Sequence, residues 1–184
     1  MISVNLWTGP SPLILASQSA SRRMLLANAG LAFETRPADL DERALQEKSG
    51  LREPGAIAAL LACAKAAQVA ALNPGCYVIG ADQTLALGDK LFSKPAGRKQ
   101  AAEQIRLLAG GTHQLHSAIA VACDGRTVFE AVTVAHMTMR PLGDIAIERY
   151  LDDAGDAVTR SVGAYQLEGL GVHLFERIDG DHFT

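Results

Sequence analysis

Two runs joined at Asp124-Gly125, Gln114–Cys123 and Thr127–Met139, constrain this chain more than any other feature. Both read as long strands, and Asp-Gly is a strong hairpin turn signal because it accepts the positive φ values that a tight reversal needs. Further strand candidates are Leu13–Ala16, Phe33–Arg36 and Tyr77–Ala81, the last stopping at Asp82. Thr84–Leu91, with Gly88-Asp89 at its middle, reads as a small hairpin, and Gly171–Ile178 as a last strand. Helices fall between them. Arg22–Ala29 follows a serine N-cap and stops at Gly30; alanine-rich Glu53–Leu72 ends at Asn73-Pro74-Gly75. Gly97–Ala109 turns Ala101, Ile105 and Leu108 inward and ends at Gly110-Gly111, and Gly143–Asp153 is the last helix. Helices interleaved with hairpins and isolated strands imply an α/β (α+β) class: a mixed twisted sheet with flanking helices.

A length of 184 residues fits one domain, or at most two intimate lobes, with residues 1–12 as an irregular arm. With 48% hydrophobic residues the chain can fill a sizeable core, and disorder is excluded by composition. Lys plus Arg number 17 against 20 for Asp plus Glu, a net charge of -3. That balance argues against a polymer nucleic-acid partner, which needs a basic face. A small anion remains compatible, since a local cluster of cations can sit inside a mildly acidic total. Cys63, Cys76 and Cys123 form no Cys-x-x-Cys pair and read as reduced thiols. The N-terminus lacks a basic region and a long apolar run, and no uninterrupted apolar stretch reaches about 18 residues. A cytoplasmic protein without a membrane partner is expected.

The first strand-to-helix junction offers the most chemistry. Ser17, Ser19 and Ser21 supply hydroxyls beside a helix start whose N–H groups and dipole suit an anion. Arg22 and Arg23 occupy the first turn, where cations oppose the dipole and call for solvent or an anion. The spacing is not that of a P-loop. Asp82 follows a hydrophobic strand; a carboxylate there can bind Mg²⁺ or take a proton from water, or simply cap a turn. Lys65 lies on the stripe of Ile57, Leu61 and Leu72, either snorkelling to solvent or reaching a phosphate. Lys94, fixed in extended backbone by Pro95, is a loop charge or a second phosphate contact. His113 and His116 fall on opposite faces of a strand and read as structural or hydrogen-bonding groups. Met137 and Met139 read as core or sheet surface.

In order along the chain, Leu15-Ala16-Ser17-Gln18-Ser19-Ala20-Ser21-Arg22-Arg23, Lys65, Gly80-Ala81-Asp82-Gln83 and Lys94-Pro95 resemble the Maf family. Gly163-Ala164-Tyr165, Glu168-Gly169-Leu170-Gly171 and Phe175-Glu176-Arg177-Ile178 extend the resemblance over almost the whole chain. It implies a fold like that of inosine triphosphate pyrophosphatases, with two lobes around a cleft. The implied activity is hydrolysis of non-standard or excess nucleoside triphosphates to monophosphate and pyrophosphate with a divalent metal, Mg²⁺ or Mn²⁺. In that resemblance Asp82 takes the proton of the attacking water, and Ser17, Arg22, Arg23, Lys65 and Lys94 bind the triphosphate. Glu42 is a candidate metal ligand beside Asp82.

Ser21, Gln83 and Glu168 are the implied specificity positions. Gln83 and Glu168 look like the branch acting on 7-methyl-GTP, whereas the branch cleaving dTTP and UTP carries Thr and Gln there. The methyl-guanosine branch can place a tryptophan at the position of Ser21, and serine lacks that stacking face. The family also continues past Asp181–Thr184 with an apolar Gly-Leu-Pro segment and a helix, which this sequence does not contain. Readings that compete are a non-catalytic nucleotide-binding regulator of septum formation and a plain phosphatase. The assembly state is open, a homodimer included.

Overall fold

Asp124 and Gly125 both take positive φ, 51° and 73°, and reverse the chain where the sequence expects a hairpin. The structure, a computed structural model, describes residues 5–180. Its elements are β1 (Leu13–Leu15), α1 (Ala20–Asn28), β2 (Phe33–Thr35), α2 (Glu42–Ser49), α3 (Pro54–Ala71) and β3 (Val78–Leu87). Then come β4 (Lys90–Phe92), α4 (Arg98–Leu108), β5 (Thr112–Cys123), β6 (Arg126–Met139), α5 (Asp144–Ala154) and β7 (Phe175–Asp179). The strands form one mixed seven-stranded sheet in the order β2-β1-β3-β5-β6-β7, with β4 on β3. Two compact units share it. One runs to Asp82 and includes Ser117–Val132; the other holds Gln83–His116 and runs on from Thr133.

In the first unit β1 pairs in parallel with β2 (Leu13 opposite Phe33) and with β3 (Ile14 opposite Val78). Helix α3 covers this sheet. It begins at Pro54, whose fixed φ and missing N–H suit a first helical position, and the Glu53 carboxylate accepts the N–H groups of Gly55 and Ala56. Ala58, Ala62, Ala66 and Ala70, four apart, are fully buried against Ile14, Val78, Ala118, Ala120 and Ala122. Small residues on both surfaces bring helix and sheet close together. Among the described residues α3 is long and apolar enough to cross a membrane, although no span is expected from the sequence. Its buried face and its ion-paired Lys65 make it the core helix of this unit.

Helix α2 is missing from the sequence reading, which assigns no element between Arg36 and Glu53. It buries no residue, so no apolar stripe betrays it; the marks are Asp41, which caps Ala44 N at 2.9 Å, and Gly50 in the left-handed region. Strand β3 does not stop at Asp82 but runs on to Leu87, pairing with β1 at its start and with β4 at its end. The polar run Asp82-Gln83-Thr84 sits in mid-strand and disguises its continuity. Leu72 leaves the expected helical stripe: it is the C-cap of α3 and is 78% exposed. Leu170–Leu174 is a 3-10 turn rather than strand, because Gly171 packs onto the Gln166 backbone where a Cβ would overlap.

The second unit packs α4 and α5 through Leu85, Ile105, Leu108, Met137, Met139, Ile147 and Leu151. His113 is buried in this core, with Nε2 2.7 Å from the Tyr165 hydroxyl and its ring against Phe175. Its Nδ1 has no partner among the described residues. His116, also buried, bonds Gln114, so both histidines serve the hydrogen-bonding role read from the sequence. Burial pushes the His113 pKa from 6.5 down to about 4. A depressed histidine contributes stability that is full above its unfolded pKa and is lost as pH falls toward the folded value. Unfolding free energy should therefore drop between pH 6.5 and about 4, by on the order of 3 kcal/mol from this group. Denaturant titrations of His113→Gln at both pH values should show a clearly smaller drop, and an unchanged one would refute the assignment.

Candidate active site

Four elements of the first unit bring charged side chains together. Alternation along β3 turns Val78, Gly80 and Asp82 to one face, toward α3. There Lys65 Nζ meets Asp82 Oδ1 at 2.5 Å and Glu42 Oε1, from the first turn of α2, at 2.9 Å. Both side chains of the Lys65–Asp82 pair are almost covered, 11% and 12% exposed, while Glu42 is half exposed.

Arg22 enters from α1. That helix buries no residue of its own and is tied down by polar contacts. Ser19 caps it, accepting from Arg22 N at 3.4 Å, and Ser17 Oγ accepts from Ser19 N at 3.2 Å. The Arg22 guanidinium donates from Nη1 to Ala81 O at 2.6 Å and to Ser17 Oγ at 3.3 Å. Asp82 is therefore gripped twice: Lys65 holds its carboxylate and Arg22 the carbonyl one residue before. The sequence reading did not foresee this backbone tie, for which no side-chain pattern exists.

The electrostatics follow from burial. Desolvation raises the Asp82 pKa above the usual carboxylate value; Lys65 and Arg22 oppose that rise and Glu42 adds to it. The same burial lowers Arg22, against the pull of Asp82 and Glu42. A raised carboxylate is a stronger base when ionised, which suits proton abstraction from water.

Arg23 is exposed and donates to Gln18 O at 2.8 Å. Ser21 is half-buried in α1. In the second unit, Gln83 is half-buried on β3, Lys94 exposed after β4, and Glu168 exposed in the turn ahead of the 3-10 segment. Buried Gln104 braces the stretch next to Lys94, donating to Ser93 O at 2.8 Å and accepting from Gly163 N at 3.1 Å. Gly163 and Ala164 take positive φ and seat Tyr165 in the core, so Gly163-Ala164-Tyr165 is packing machinery.

The donor chemistry fits a hard divalent cation. Two carboxylates converge on one cationic point, now taken by the Lys65 ammonium, and Mg²⁺ is commonly held by one or two carboxylates with waters and phosphate oxygens. Among the described residues no three His, Cys, Asp or Glu side chains gather as a self-sufficient cage.

The mixed α/β sheet thus carries a buried acid beside two cations, and the sequence has no P-loop spacing. The chain belongs to the Maf-like protein family, whose pattern it matches over residues 12–184. It is 64% identical to a "nucleoside triphosphate pyrophosphatase" of Bradyrhizobium diazoefficiens, over 98% of this chain and 90% of the relative. The protein of the same name from Nitrobacter winogradskyi is 62% identical, over 97% and 89%. A "7-methyl-GTP pyrophosphatase" of Brucella abortus is 51% identical, over 94% and 87%.

Proposed function

We propose that this chain is a nucleoside triphosphate pyrophosphatase that takes modified or non-standard nucleotides, with a 7-methylguanine-type base the favoured class. The observation that carries it is the buried Lys65–Asp82 pair with Glu42 and Arg22 around it. The names of three relatives support the reaction, and the 51% identical one supports the base.

Asp82 accepts the proton of the attacking water at a carboxylate oxygen. The oxygen bonds to phosphorus, the anhydride between the α and β phosphates breaks, and pyrophosphate leaves. A divalent cation, held by Asp82 and Glu42, would supply charge neutralisation for the phosphates. Lys65 brings an ammonium with N–H donors to the phosphate oxygens. Arg22 donates from Nη1 to Ala81 O and Ser17 Oγ, and its remaining N–H groups are assigned to the triphosphate. Arg23 and Lys94 add exposed positive charge that attracts the triphosphate. Ser21, Gln83 and Glu168 are assigned to the base. A carboxylate such as Glu168 accepts two hydrogen bonds from the ring N–H and exocyclic amine of guanine, while a pyrimidine has one ring N–H to give.

The test is a panel of 7-methyl-GTP, GTP, UTP and dTTP with separate assays for pyrophosphate and orthophosphate. Pyrophosphate as product, and a kcat/KM for guanine nucleotides about tenfold to a hundredfold above UTP and dTTP, are expected. With Ser21 lacking a stacking face, 7-methyl-GTP should exceed GTP only modestly. A preference for UTP or dTTP would overturn the base; orthophosphate alone would overturn the reaction.

A further inference from the structure

We propose that Gly80 is a positioning residue for the Lys65–Asp82 pair: its missing side chain lets β3 close on α3, and that closeness sets where ammonium and carboxylate meet. The proposal rests on the role given to Asp82 above.

A Cβ built on Gly80 would overlap the Ala62 carbonyl oxygen and come within 2.7 Å of Ala66 N and 2.9 Å of Ala66 Cβ. Two of these three atoms are backbone, so no rotamer change relieves the clash and strand or helix must move. Gly80 shares its strand face with Asp82, two residues on, and Ala66 is the immediate neighbour of Lys65. The tight approach and the ion pair thus lie side by side on the same two elements. Backbone separation at Gly80 sets the gap that the Lys65 and Asp82 side chains span to meet at 2.5 Å. The carbonyl of Ala81, the residue between Gly80 and Asp82, accepts from Arg22 Nη1 at 2.6 Å. A strand moved by an added methyl carries this carbonyl with it, and the Arg22 contact is disturbed along with the ion pair.

Gly80→Ala tests this. A displacement on the order of 1 Å near reacting groups costs roughly a hundredfold in rate, so kcat should fall by that order with KM changed far less. In the free protein, the ¹⁵N signal of the Lys65 ammonium, visible when a buried ion pair slows proton exchange, should broaden or vanish. Val69→Ala, a cavity in the same core away from Gly80, is the control: with a comparable fall in Tm it should keep both kcat and the Lys65 signal. Should Gly80→Ala not fold, Ala66→Ser pushes on the same contact from the helix side and should give a smaller loss of both readouts. A folded Gly80→Ala with wild-type kcat or an intact Lys65 signal would overturn the proposal, as would a Val69→Ala that loses both. The ammonium signal needs no turnover. It therefore stands even if Asp82→Asn shows that Asp82 is not the base.

Discussion

Asp82→Asn should lower turnover by about two to four orders of magnitude while triphosphate binding survives. The amide has the shape of the carboxylate and its oxygen still accepts from Lys65 Nζ, so the middle of β3 keeps its hold on α3. Arg22 bonds the Ala81 carbonyl and is not touched by the change. What disappears is the ability to take a proton, together with half of the charge that balances Lys65. Burial and the neighbouring Glu42 keep the native carboxyl above its ordinary pKa, and a neutral amide has no counterpart to that basicity. Rapid-quench measurement of the chemical step, alongside equilibrium binding of a non-hydrolysable triphosphate, separates the two effects. Near wild-type turnover in the folded variant would remove Asp82 from the role of base. A complete loss of binding would instead assign it to substrate affinity.

The parts of the fold legible in the sequence are those written in strong local chemistry. Asp124-Gly125 dictates its own reversal, and the Ala101, Ile105 and Leu108 face of α4 is buried as its spacing requires. Ser19 caps α1 one turn ahead of Arg22 and Arg23. What escaped lacks such signals. Helix α2 buries no residue, and β3 carries a polar stretch, Asp82-Gln83-Thr84, in its middle that breaks the hydrophobic run. The reading of Lys65 left snorkelling and phosphate both open. Its contacts depend on Glu42, 23 residues earlier, and Asp82, 17 residues later, whose meeting no local pattern encodes. The grip of Arg22 on a backbone carbonyl is equally invisible, because every residue type offers that acceptor. The Gly-Ala-Tyr motif shows the converse: one of several that together carry the family resemblance, it packs the core.

Lys65→Met should be the most damaging single change to this site, because it removes the one group that both carboxylates share. Methionine retains much of the stem and fills its place on α3, so the loss is chiefly electrostatic. Asp82 is nearly covered and would be left without its nearest cation; breaking one partner of a buried pair costs about 3–5 kcal/mol. Half-exposed Glu42 recovers solvation and contributes little to that cost. For a chain of this size the result is a fall in Tm of roughly 6–20 °C, readable by calorimetry. Asp82 answers by holding its proton more firmly, since burial and Glu42 then act with only Arg22 against them. Activity at neutral pH should fall with it, and the KM for a triphosphate should rise. Added Mg²⁺ or Mn²⁺ supplies the missing positive charge between Asp82 and Glu42, so it should raise the Tm of Lys65→Met more than that of the unaltered protein. Equal shifts in both proteins would mean that the two carboxylates do not form a cation site. A Tm unchanged by Lys65→Met would mean that the Lys65–Asp82 contact carries no stabilising weight.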